Sequence, residues 1–122
     1  MGGKIGVVAL ISFLCAQEAE KGAAVRVAEN RSIRALFADA AREGWAPALE
    51  AVMASLAAGV DEDFTLSGLD RANAELRRAL IALQTAVEED SAPVARQRER
   101  RIAALLVDHA RARSLLLPGQ PG

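Results

Sequence analysis

A single cysteine, a single histidine, no tyrosine and an aromatic fraction of only 3% set the first limits on this 122-residue chain. Cys15 alone cannot close an internal disulfide, and His109 alone removes most of the ligand sets from which zinc sites are built. Neither an oxidised scaffold nor a structural metal is therefore expected. The scarcity of aromatics leaves few platforms on which bases could stack, which weakens a single-stranded nucleic-acid reading. No segment alternates polar and apolar residues over a useful length, and β-branched residues are sparse outside the first helical stretch, so no strand is expected. The nine glycines are scattered rather than gathered into a phosphate cradle. Asp61, Glu62 and Asp63 lack the spacing and the glycine of a calcium loop. No serine or cysteine motif offers His109 a companion nucleophile, and the line Ile102, Leu105, His109, Ala112 and Leu116 places that ring on or beside an apolar stripe. A half-buried histidine hydrogen-bonded to a neighbour is the expectation, together with no cofactor and no enzymatic activity.

Charge is nearly balanced, at a formal net −1, which excludes a disordered polyelectrolyte and any global attraction to nucleic acid. The balance is uneven along the chain. From residue 91 to 117, six arginines face only Glu99 and Asp108, a local +4 against −5 elsewhere. Within that stretch "RQRERR" makes Arg96, Arg98, Arg100 and Arg101 a candidate patch for an anionic partner, a nucleic acid or an acidic protein surface. A solvated helix face, part-neutralised by Glu88, Glu89 and Asp90, accounts for the same residues.

What is abundant is alanine, leucine, arginine and glutamate within a 52% hydrophobic chain, a helical composition in one domain's length. The expected architecture is all-α, an antiparallel bundle of about four helices over residues 1–116 with a flexible tail over 117–122. The first helix spans residues 5–42, with Gly22 a weak point and Gly44 a left-handed cap. Pro47 suits the first turn of a second helix whose apolar face is Leu49, Val52, Met53, Leu56 and Val60, closed by Gly59. A third helix covers 66–89, its start capped by Thr65 or Asp63. Ser91 and Pro93 announce a fourth, running to about Leu116.

The apolar run over residues 5–16 is too short for a bilayer, which takes about 20 residues. An export signal lacks its small-residue cleavage pair, Leu14 before Cys15 spoils a lipoprotein site, and Gly6 stands where myristoylation wants Ser or Thr. A buried first helix, with Cys15 an inert core thiol, is the expectation for a cytoplasmic protein without a membrane span. Export through residues 1–20 is the alternative.

The third helix carries a heptad ridge: Leu66, Asn73, Leu80 and Val87 at a, and Leu69, Leu76 and Leu83 at d, flanked by Ala72, Ala79 and Ala86. Coiled-coil-like packing is expected along it. Asn73 interrupts the ridge, and Asn30 stands before Ile33, Phe37 and Ala40 in the first helix with the same spacing. The two asparagines are expected to fix register, either by pairing across the bundle or by pairing with symmetry mates in an oligomer. Replacing Asn73 by Leu is expected to raise stability and loosen oligomer state. The candidate interface and register residues are thus Asn30, Ile33, Phe37, Leu69, Asn73, Leu76, Leu80 and Leu83. They suit a small interaction or accessory subunit that binds another protein chain, as a homo-oligomer or in a larger complex.

Overall fold

The computed structural model describes residues 2–116, with side chains described from Val7 onward. The tail expected over 117–122 lies outside the described residues. Four helices, α1 (Gly2–Glu43), α2 (Glu50–Ala58), α3 (Leu66–Glu89) and α4 (Val94–Ser114), make up the fold, with a 3-10 turn at Pro47–Leu49 leading into α2. No strand occurs among the described residues.

Local chemistry sets each boundary. Gly44 has φ +67°, where a side chain would be strained, and the reversal lets the Trp45 N–H donate to the Ala40 carbonyl oxygen at 3.0 Å. Thr65 caps α3 by accepting from the Gly68 N–H at 3.1 Å, and Asp63 in turn accepts from the Thr65 N–H at 3.0 Å and from its hydroxyl at 2.6 Å. Pro93 precedes α4, where its missing N–H costs no helical bond.

Cross-helix pairs define the topology. Arg26 meets Asp70 and Asn30 meets Asn73, so α1 and α3 run in the same direction. Ser32 meets His109 and Asp39 meets Arg101, so α4 runs against α1. With the turn after Glu43 reversing the chain into α2, the bundle is up-down-up-down. Its core joins Ile33, Leu36, Phe37 and Ala40 of α1 to Met53 of α2, Leu76, Leu80, Leu83 and Val87 of α3, and Ala95 and Ile102 of α4, closed at one end by Trp45 and Ala46. Each of the larger residues contributes roughly 2 kcal/mol on burial.

Three expectations change. Gly22 does not break α1; it is a buried point of approach, where an added Cβ would lie 3.6 Å from Leu66 and 3.1 Å from Arg26. On α2 only Met53 is buried, with Leu49 and Leu56 packed at the core's edge, because a nine-residue helix offers one narrow stripe; Val52 faces outward and Val60 lies past the helix end. The third change is the largest. At a rise of 1.5 Å per residue, α1 is about 63 Å long and α3 about 36 Å, so none of the other described helices reaches the beginning of α1. Residues 7–20 are exposed throughout, and the first helix is not buried there; Cys15 is an exposed thiol on a projecting rod, not a core group. No helix among the described residues is long and apolar enough to cross a membrane.

Candidate functional site

Where the rod enters the bundle, the interior turns polar. Glu29 sits one residue before Asn30 on the inward side of α1, and its side chain is only 1% exposed. An isolated carboxylate there would be neutral, since removal from water penalises the charged form. Three donors reverse that outcome. Arg113 of α4 donates from Nε to Oε2 at 2.9 Å, Asn73 of α3 donates from Nδ2 to Oε1 at 3.0 Å, and Arg77 grips the same oxygen through both Nε and Nη2. Burial pushes the Glu29 pKa up, but these hydrogen bonds and the Arg77 charge outweigh it and hold the group at about 2. One anion therefore ties three helices together.

The asparagines extend the cluster. Asn73 donates to Asn30 Oδ1 at 2.9 Å and accepts from Arg77 Nε at 3.0 Å. Asn30 donates to the Leu69 carbonyl oxygen at 3.3 Å and to Asp61 at 3.3 Å. The Asp61 side chain, 6% exposed, also receives Arg34 Nη2 at 3.0 Å. Every polar atom of both asparagines is thus partnered inside the chain, which is why they can occupy a core layer. Of the expected interface residues, Asn30, Ile33, Phe37, Leu69, Asn73, Leu76, Leu80 and Leu83 are all buried within the chain's own bundle. That ridge is spent on the molecule's own core and is not presented to another chain.

Beside the cluster, Ser32 Oγ lies 2.6 Å from His109 Nε2. The Ser32 hydroxyl also lies 2.8 Å from the Glu29 carbonyl oxygen, so the hydroxyl bridges the α1 backbone and the His109 ring. Burial lowers the His109 pKa and dominates over the raising effect of Glu29, in keeping with a neutral ring. Nδ1 is buried without a partner. Among the described residues no cluster of His, Cys, Asp and Glu could hold a metal ion.

The arginine patch is largely engaged within the chain. Arg96 donates to Glu99 at 2.8 Å and to the Val87 carbonyl oxygen at 3.1 Å, closing the end of α3. Arg101 pairs with Asp39, and Arg98 and Arg101 both lie over the Trp45 ring, 5.5 and 5.6 Å from its centroid. Arg100 is exposed. Stacking on Trp45 and closing α3 are structural roles that a run of arginines in the sequence does not disclose.

Two of the open surfaces among the described residues are mainly apolar and lie along α1. One is the rod, where Val7, Val8, Leu10, Ile11, Phe13 and Leu14 are 48–65% exposed. The other is a cavity of about 690 Å³ between α1 and α4, walled by Ala24, Val25, Ala28 and Ala35 on one side and Ala104, Leu105 and Ala112 on the other, with Asp108 and Arg101 at its rim. Its origin is the row of alanines, which are too small to fill the space between the two helices.

Glu29, Asp61, Arg34, Arg77 and Arg113 escape a reading of apolar periodicity. Partial signals exist: Arg77 is one helical turn after Asn73, Arg113 one turn after His109, and Glu29 adjoins Asn30. No family model matches the chain, and no curated protein or solved structure gives a significant match.

Proposed function

We propose that this chain is a non-catalytic helical interaction module, a bundle locked by the Glu29 cluster that presents the apolar rod at the start of α1 to another protein chain. The carrying observation is the rod itself: six large apolar side chains on consecutive turns of one helix, uncovered by any described element. Monomeric proteins rarely leave contiguous apolar surface of that extent in water, and where they do it marks a contact. The inward-facing ridge of α3 needs no partner, and the exposed apolar residues of the other elements are spread along the chain, so the contiguous surplus lies on α1. The arginines of α4 support a structural role better than an anionic partner, since Arg96, Arg98 and Arg101 already have neighbours within the chain.

Size-exclusion chromatography with light scattering tests this reading. The intact chain is expected to elute well above its 12.9 kDa mass, by self-association or with a copurifying chain. Leu10→Glu combined with Leu14→Glu is expected to elute at 12.9 kDa with its helical circular-dichroism signal retained, because neither side chain supports the bundle. A wild-type monomer with nothing copurifying overturns the proposal.

A further inference from the structure

The rod and the alanine groove lie on one face of the same helix. Steps of three and four carry Val7 to Leu10, Leu14, Gln17, Lys21, Ala24 and Ala28, a continuous line along α1. Its first half is large and apolar. Its second half is small, and there it forms one wall of the cavity toward α4. A surface that is bulky at one end and hollow at the other is complementary to itself when turned end for end.

We propose that the partner of the rod is a second copy of this chain: two α1 helices lie antiparallel about a two-fold axis near Ala19, and the rod of each copy fills the α1–α4 groove of the other. This rests on the interaction-module reading and specifies its partner. Centred there, Leu14 of one copy meets Ala24 of the other and Leu10 meets Ala28, a large side chain against a small one at each layer. Size, not charge, sets the register: at the axis Lys21 of one copy lies opposite Gln17 and one residue from Glu18 of the other, while Glu18 stands opposite Glu20 at the edge of the contact, where all four carboxylates stay in water. A parallel pairing would set Glu18 beside Glu18, Lys21 beside Lys21 and Leu beside Leu, and would leave both grooves empty. The contact is isologous, hence closed at two copies. Its size is adequate: at about 100 Å² each, Val7, Leu10 and Leu14 of two copies bring roughly 600 Å² of apolar rod surface, and the groove walls they cover add about as much, which passes the roughly 1,000 Å² at which an interface becomes specific.

Disulfide trapping separates the geometries, because a bridge requires Cβ atoms within about 4.5 Å. In a Cys15→Ser background, Leu14→Cys together with Ala24→Cys is expected to form covalent dimers on mild oxidation. Leu14→Cys alone is not. Those two positions are ten residues apart on one helix, too far to bridge within a chain. Light scattering on the unsubstituted chain, expected at twice 12.9 kDa, keeps the test valid if the cysteine variants fold poorly. Cross-linking by Leu14→Cys alone means parallel pairing and overturns the proposal. A 12.9 kDa species at tens of micromolar that recruits a different protein through Leu10 and Leu14 overturns it and leaves the interaction-module reading standing. A monomer that cosediments with phosphatidylcholine vesicles, and ceases to do so with Leu10→Glu and Leu14→Glu, overturns both.

Discussion

Replacing Glu29 by Gln tests whether one buried anion holds the bundle together. Gln keeps the shape and one acceptor oxygen but removes the charge, and its amide nitrogen turns a donor toward Arg77 or Arg113, both of which already donate there. The drop of the Glu29 pKa from 4.5 to about 2 corresponds to about 3 kcal/mol of preference for the ionised form in the fold. Removing one partner of a buried pair commonly costs about 3–5 kcal/mol. Here the side chains of Arg77 and Arg113 are 38% and 33% exposed and can recover some hydration, so the lower end applies. For a chain of this length a loss of about 3 kcal/mol lowers the melting temperature by roughly 10 °C. The same group makes an acid signature. A carboxylate whose folded pKa is depressed contributes stability that is full above its unfolded value of 4.5 and is lost as pH falls toward about 2. Thermal denaturation followed by circular dichroism at pH 7 and between pH 5 and 2 reads both effects. The variant is expected to be less stable at pH 7 and to show a shallower decline in acid. A variant that melts within about 2 °C of the parent, with an unchanged acid limb, refutes the claim that the ionised carboxylate stabilises the fold.

Asn73→Leu is expected to lower stability by about 1–3 kcal/mol, opposite in sign to what the heptad ridge suggests, because it strips a donor from Glu29 and Asn30 and an acceptor from Arg77; a higher melting temperature would contradict the network. His109 is expected to titrate with a midpoint below 6.5 in a proton NMR series, since burial disfavours its charged form. Its contribution to stability is then full above pH 6.5 and declines as pH falls through the lower folded value; a midpoint at or above 6.5 would show the ring to be solvated. Gly44→Ala is expected to cost about 1 kcal/mol in urea denaturation, from the left-handed backbone alone, because an added Cβ meets nothing within 4 Å. An unchanged midpoint would mean that the turn relaxes at no cost.

Much of the fold was legible in the order of residues. The apolar ridge of α3, buried from Leu69 to Val87 although its expected first member Leu66 is exposed, the cap at Thr65, the reversal at Gly44 and the start of α4 after Pro93 are local in cause, and each can be read from a few neighbouring residues. The pairing of Asn30 with Asn73 was legible for a related reason, since two segments with one spacing place equivalent residues in one layer when the helices run the same way. Periodicity is blind to charge partners. Glu29, Asp61, Arg77 and Arg113 look like surface residues until distant segments meet, and which carboxylate receives which guanidinium is decided by helix rotation and reach. The relative lengths of α1 and α3 settled burial at the amino-terminal end, and the alanines along α1 and α4 settled where the bundle stays open. The sequence by itself determined where helices begin and end and which stripe of α3 must be hidden, because those depend on backbone chemistry and side-chain period. Only the tertiary structure decided that the polar layer closes on Glu29 and that the most apolar stretch of the chain stands in the open, because both depend on which surfaces the packing brings within reach.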